Sequence, residues 1–143
     1  MKILSTLILL LCSIFANAQN VGGLILVDKD NKEMKKAFAK AKETLREFIL
    51  RSTEQRKDYE IYGAYVKVLE GETIEYLWVS DFKKYDDVHF MGVLISKPEL
   101  IKQFKNGATI GFMKEDIFDW QIYNKNTEVL EGAFTFKVLN KKK

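Results

Sequence analysis

The sequence predicts an α+β domain in which one N-terminal amphipathic helix packs on a curled, mostly antiparallel sheet of five to six strands. A change of hydrophobic period leads to this expectation: apolar residues recur at steps of three and four up to residue 51, and at steps of two from residue 59 onward. Turn residues separate the alternating stretches, as in strands joined by hairpins. Several strands are apolar on both faces, which predicts a sheet covered by the helix on one side and curled over itself on the other.

The first 18 residues have the layout of a secretory signal peptide. Lys2 is followed by an apolar run, residues 3–15, and by Ala16-Asn17-Ala18, which places small residues at the −3 and −1 positions of a cleavage site. The apolar run is too short to span a bilayer, which takes ~20 residues. We therefore expect cleavage after Ala18 and a secreted or periplasmic mature chain without a membrane anchor.

Cys12, the only cysteine, lies inside the apolar run. The residue before it is Leu11, whereas a lipidated cysteine needs a small residue there, so lipidation is not expected. Removal of residues 1–18 leaves a mature chain that has no thiol nucleophile and forms no disulfide.

A lead-in, residues 19–29, precedes the helix and contains the apolar run Val21–Val27, for which an edge strand and an unpaired segment are both open interpretations. Asp30 and Glu33 have the spacing of a capping box, which predicts a helix that begins there and continues to about Arg51. Its core-facing stripe is predicted to contain Met34, Ala37, Phe38, Ala41, Leu45, Phe48 and Ile49.

The first two strands are predicted as a hairpin that turns at Glu70-Gly71. Alternation places Lys67 and Glu75 on the faces opposite to Trp78, so these two charged side chains are expected to pair across the hairpin. A charged connection, residues 81–87, leads to a third strand at residues 88–95.

The remaining chain is predicted to complete the sheet. Pro98 ends the third strand, and residues 100–105 form a connection or a short helical turn. Strands follow at residues 108–113 and 117–123, with a turn at residues 124–126. Residues 134–139 are expected to form the last strand, with a helix as the alternative. The whole region 30–140 is predicted to be one domain, followed by the basic tail 141–143, with a core anchored by Trp78, Trp120, Phe134 and Phe136.

Composition excludes several function classes. The formal net charge is +3, and Lys141, Lys142 and Lys143 supply as much by themselves, so no basic face for nucleic acid is expected. His89 is the only histidine, which leaves no nitrogen or sulfur partner for a transition-metal site beside Asp86 and Asp87. There is no phosphate-binding glycine loop, so no cofactor is expected.

A set of residues across most of the mature chain resembles a bacterial family, the domain of unknown function 2314, whose members are called YegJ-like. The resemblance rests on the order and spacing of Ala41-Lys42-x-Thr44-Leu45-x-x-Phe48, Glu75-x-x-Trp78-Val79, Ile117-x-Asp119-Trp120 and Gly132-x-Phe134-Thr135-x-Lys137. Ala108 stands where the family usually has an acid, and Lys137 where it often has arginine. The resemblance implies a small bacterial domain, sometimes exported, with no established activity to carry over.

The candidate polar residues support two function classes. Asp119 is expected to accept hydrogen bonds from the backbone or from Lys67, and Lys67, Glu75 and Asp119 form the best candidate patch for a ligand. The first hypothesis is a non-enzymatic module that binds a macromolecular partner or a small ligand through one sheet face. The alternative is a small envelope hydrolase that uses Asp119 or Asp116 with His89.

Overall fold

The computed structural model describes residues 31–141 of the chain. The predicted signal peptide, the lead-in and the end of the basic tail lie outside the described residues. The α+β prediction is confirmed: two helices accompany an open six-stranded antiparallel sheet. Neither described helix is long and apolar enough to cross a bilayer.

The first helix, α1 (Lys32–Thr53), begins one residue later than predicted. Its N-cap is Asn31, whose side chain accepts from the backbone N–H groups of Glu33 and Met34 at 2.9 and 3.2 Å; the predicted cap, Asp30, lies outside the described residues. Most of the predicted core-facing residues are buried, whereas Phe38 and Ile49 are half-buried, and Ser52 is buried in addition. The buried residues of α1 are Met34, Ala37, Ala41, Leu45, Phe48 and Ser52.

Six strands and one short helix follow α1. The sheet order is β4-β3-β2-β1-β5-β6, and every neighbouring pair is antiparallel. A 3₁₀ turn (Lys114–Asp116) separates β4 from β5. The strands are β1 (Glu60–Glu70), β2 (Thr73–Lys84), β3 (His89–Leu94), β4 (Thr109–Met113), β5 (Ile117–Asn124) and β6 (Leu130–Gly132), and the last element is helix α2 (Phe134–Asn140).

The predicted β1–β2 hairpin is confirmed, with Glu70 opposite Thr73 and Gly71 at φ +60° in the turn. Strand β2 runs further than predicted, so the first part of the expected connection 81–87 is strand. The register shifts between Ser80 and Lys83, and Asp81 has φ +49° there. This irregularity is a β-bulge, which lets the strand continue past a residue that does not pair.

The C-terminal end differs from the prediction: residues 134–139 form a helix and not a strand. Gly132 and Ala133 have φ +71° and +50°, and these left-handed conformations turn the chain out of the sheet after the short strand β6, which sequence analysis missed. Only glycine fits at 132, since a Cβ atom there would lie 2.3 Å from the Trp120 carbonyl oxygen.

Arg51 fastens the C-terminal end of α1 to the sheet. Its guanidinium donates to Glu131 at 2.7 and 3.1 Å and to Glu60 at 3.2 Å. The hydrogen bond that Arg51 donates to Glu131 raises the pKa of Arg51, and the same contact lowers the pKa of Glu131. The pair therefore stays ionised and holds α1 against β1 and β6.

Buried apolar residues form two clusters. The first cluster lies between the C-terminal half of α1 and the sheet face that carries Val66, and it includes Trp120. The second cluster consists of Met34, Ala37, Tyr65 and Trp78 and takes the opposite sheet face. Trp78 and Trp120 are buried, as predicted for core anchors, whereas Phe134 and Phe136 pack on the second cluster from its half-buried margin.

Candidate functional site

The predicted patch of Lys67, Glu75 and Asp119 is not assembled. Glu75 pairs in register with Val68 and so points to the face of the first cluster. Lys67 lies on the opposite face, where its ammonium is 3.5 Å from Asp116. The expected ion pair between Lys67 and Glu75 is therefore wrong, because the two side chains lie on opposite sides of the sheet.

Glu75 has a structural role that its position in the sequence does not reveal. Its carboxylate is 8% exposed and accepts from the backbone N–H groups of Glu99, Leu100 and Ile101 at 2.8, 3.0 and 2.9 Å. Glu70 does the same for the next two residues of that loop. With its hydrogen-bonding capacity used on the loop after Pro98, Glu75 is removed from the candidate ligand residues.

Asp119 holds the start of α2. Its carboxylate is fully buried and accepts from the N–H groups of Trp120, Phe134 and Thr135 and from the Thr135 hydroxyl, at distances of 2.6 to 3.3 Å. The N-cap residue Ala133 has no side chain to do this. The prediction that Asp119 accepts backbone hydrogen bonds is confirmed; Lys67, the other partner considered, pairs with Asp116 instead.

Burial raises the pKa of Asp119 to about 6, while its hydrogen bonds from Thr135, Trp120 and Phe134 oppose the rise. The carboxyl is enclosed by β5 and α2 and is not presented to solvent. It therefore stabilises the fold locally and lies outside any open site.

His89 and Asp116 do share a hollow of about 520 Å³ at the end of β3 and β4, together with Asp86. His89 Nδ1 is 2.8 Å from an Asp86 oxygen, and hydrogen bonds from the backbone of Val88 and His89 lower the pKa of Asp86. Asp119 is not part of this hollow. Within residues 31–141, no group of three or more His, Cys, Asp or Glu side chains is placed to hold a metal ion.

Five aromatic rings form a continuous row that leaves the second cluster and reaches the surface. We call them the aromatic row: Trp78, Tyr65, Tyr76, Phe118 and Phe38, with successive centroids 5.2, 5.8, 4.9 and 5.8 Å apart. The first two rings are buried and the last three are half-buried. Edge-to-face contacts at Phe118 fix the outer rings in defined positions.

The outer end of the aromatic row forms the floor of a groove of about 560 Å³ between α1 and the 3₁₀ turn. We call it the basic groove. Phe38, Phe118, Leu45 and Ile117 supply its apolar lining, and Lys42, Arg46 and Lys114 stand around it with a single acid, Glu115. Within the described chain, no carboxylate forms an ion pair with any of these three cations.

The same sheet face stays exposed beyond Tyr76. Leu69 and Ile74 are register partners near the hairpin turn and are 52% and 40% exposed. Alternation places them on the face of Tyr65 and Tyr76. The aromatic row thus connects two open apolar areas, the basic groove on one side and this hairpin patch, Leu69 and Ile74, on the other.

A family model described as an uncharacterized protein conserved in bacteria (DUF2314) matches residues 31–143. The match covers every described element from α1 to α2. The chain belongs to the DUF2314 family. Comparison with curated proteins and with solved structures gave no significant match.

Sequence analysis of this DUF2314 chain named the aromatic residues of the core but missed the basic groove. One signal was present: Lys42 and Arg46 are four residues apart on α1, a like-charge spacing that destabilises a helix by a few tenths of a kcal/mol. Phe38 and Leu45 flank them on the same side. The other half of the DUF2314 groove comes from residues about 70 positions later, and this proximity has no signature in the sequence.

Proposed function

We propose that this DUF2314 protein is an exported, non-enzymatic binding module that recognises an apolar, acidic segment of another protein. The observation that carries the proposal is the continuity of the aromatic row with the basic groove, where three cations that have no ion-pair partner among residues 31–141 surround an aromatic floor. Aromatic side chains at a partly open site contribute most of the binding energy at protein interfaces, and charges at the rim steer the partner.

The lining favours a partner that combines apolar side chains with carboxylates. Phe38 and Phe118 offer ring edges and faces to an apolar side chain, and Lys42, Arg46 and Lys114 would attract neighbouring acids. A phosphate backbone is a poor match, because five apolar side chains and Glu115 line the groove among the cations.

The extent of the surface favours a protein segment over a small molecule. A groove of about 560 Å³ is large enough for one compact ligand. However, the apolar surface continues past Tyr76 to Leu69 and Ile74, and a peptide several residues long could contact both ends of it.

The binding proposal is tested by selecting a displayed library of acidic and aromatic 12-residue peptides against the chain from residue 19 onward. A selected peptide is then titrated against Lys42→Glu and Arg46→Glu variants, each expected to weaken binding by roughly tenfold or more through charge repulsion. Lys36→Glu is the matched control, because it makes the same charge change on α1 outside the groove. Equal weakening in all three variants, or no enrichment of acids next to aromatics, would reject the proposal.

Export is tested separately. We expect a chain expressed in full length in a bacterial host to be recovered from the periplasm or medium with an N-terminus at Gln19, by mass spectrometry. Recovery of an intact N-terminus in the cytoplasm would contradict export and leave the binding surface unaffected.

A second candidate function, a small hydrolase, is favoured by the hollow in which Asp116 lies together with hydrogen-bonded Asp86 and His89. A carboxylate that orients an imidazole is an arrangement used in general base catalysis. Turnover of a panel of aryl esters that His89→Gln abolishes would establish this function in place of the binding role; equal background rates in both proteins would exclude it.

A further inference from the structure

Two buried polar atoms in the second cluster have no hydrogen-bond partner among residues 31–141: the hydroxyl of Tyr65 and the indole Nε1 of Trp78. Both side chains are 1% exposed, and they are cross-strand neighbours with ring centroids 5.2 Å apart. The other buried side-chain polar atoms of residues 31–141 all have partners. Because an unsatisfied buried donor is costly, two adjacent ones indicate a role that the described residues do not fulfil by themselves.

Two helices cover this cluster: α1 contributes Met34 and Ala37, and the short helix α2 lies beside it. Helix α2 packs on it through Phe134, Phe136, Val138 and Leu139. The chain enters α2 through Gly132 and Ala133, both in the left-handed region, and the first turn is held by the hydrogen bonds to Asp119. Helix α2 is the last described element and is not part of the sheet, so a movement of α2 about residues 132 and 133 would leave the six strands paired.

We propose that the second cluster is a closed site for an uncharged ring compound with a hydrogen-bond acceptor oxygen, and that α2 is the cover that moves to admit it. The rings of Tyr65 and Trp78 supply a surface for a flat molecule. Trp78 Nε1 is only a donor, so it requires an acceptor, and the Tyr65 hydroxyl can donate or accept.

The surroundings exclude an anionic ligand. The Asp119 carboxylate is in register with Tyr65 on the same side of the sheet, and none of the four residues of the second cluster is basic. The site therefore differs in ligand chemistry from the basic groove, and its test does not depend on the result of the peptide-binding test.

The test uses three probes of similar ring size: coumarin, which has acceptor oxygens, naphthalene, which has none, and coumarin-3-carboxylate, which is anionic. Binding to the chain from residue 19 onward is followed by ligand-observed NMR and by the fluorescence of the two tryptophans. We expect coumarin to bind several-fold more tightly than either other probe.

Tyr65→Phe and Trp78→Phe should each weaken coumarin binding about fivefold to tenfold. The thermal midpoint of Tyr65→Phe should rise, because an unsatisfied hydroxyl is removed.

Two further variants separate the site from its cover. Tyr76→Phe removes a hydroxyl from the adjacent, half-buried ring and should leave coumarin binding unchanged. Thr135→Val deletes the 2.6 Å hydrogen bond to Asp119 and should tighten the apparent affinity several-fold while lowering the thermal midpoint, because the open form becomes more populated.

The proposed site would be overturned if coumarin bound no more tightly than naphthalene. It would also be overturned if Tyr65→Phe and Tyr76→Phe lost coumarin affinity equally. Unchanged or weaker binding by Thr135→Val would overturn the role of α2 as its cover.

Discussion

Replacement of Glu75 by glutamine tests whether this acid is a structural anchor. The substitution keeps the shape of the side chain and changes one of its two oxygens to an NH₂ group. The wild-type carboxylate accepts three N–H groups, from Glu99, Leu100 and Ile101, and the last of these hydrogen bonds is buried. An NH₂ group pointed at these donors leaves at least one of them without an acceptor.

The expected cost follows from that count. A buried donor left unsatisfied destabilises a protein by about 1–3 kcal/mol, so Glu75→Gln should lower the free energy of unfolding by roughly 2 kcal/mol. For a domain of this size that loss corresponds to a decrease of about 8 °C in the thermal midpoint. Both are measured by urea titration and differential scanning calorimetry of the mature chain.

Glu70→Gln is the matched control for Glu75→Gln. Glu70 accepts from Lys102 and Gln103 in the same loop, but these hydrogen bonds are exposed and water can replace them. We expect a loss below about 1 kcal/mol. The reasoning would be refuted if the two variants lost equal stability, or if Glu75→Gln stayed within about 0.5 kcal/mol of the wild type.

Three other predictions concern the second half of the chain. Burial raises the pKa of Asp119 to about 6, so the folded state binds this proton more tightly than the unfolded state does. When the pH is lowered from 7 to 5, the free energy of unfolding of the wild type should therefore rise by about 1 kcal/mol relative to that of Asp119→Asn. A relative decrease over that range would contradict the predicted sign. Gly132→Ala should lower the free energy of unfolding by more than about 2 kcal/mol, because the new Cβ would lie 2.3 Å from the Trp120 carbonyl oxygen. Gly71→Ala, at φ +60° with nothing within 4 Å, should lower it by about 1 kcal/mol. Chemical denaturation compares the two variants, and equal losses would show that the contact at Gly132 is relieved. Trp120→Ala should lower the free energy of unfolding by about 3–5 kcal/mol, since the Trp120 ring stacks on Phe48 at 5.2 Å and its indole N–H donates to Thr44 at 3.0 Å. A loss under about 1 kcal/mol in the same measurement would mean that the stack contributes little.

The parts of the fold that the sequence predicted are those with a local pattern. Helix α1 and the β1–β2 hairpin have clear periods of 3.6 and 2, and both are present within a few residues of the predicted bounds. The helix begins one residue later than predicted because Asn31, a residue type that caps helices as well as aspartate does, supplies the N-cap.

The errors come from contacts between distant residues. Residues 134–139 alternate like a strand, yet the left-handed conformation of Ala133 and the hydrogen bonds that Phe134 and Thr135 donate to Asp119 make them a helix. The role of Glu75 could not be predicted, because its partners are backbone N–H groups 24 to 26 residues away. Backbone groups are the same at almost every position, so they leave no signal in the sequence. The basic groove likewise combines α1 with the 3₁₀ turn, and neither segment reveals the other.

The uneven coverage of the sheet sets the order in which its amides would exchange with solvent. Strand β1 lies between β2 and β5 and is buried on both faces along most of its length, whereas β4 is an edge strand in which only alternate residues are buried. Opening β4 removes few contacts, and opening β1 requires global unfolding. Deuterium should therefore enter the edge strands, β4 and the three-residue β6, before β1, so that the strand at the centre of the sheet reports the stability of the whole domain.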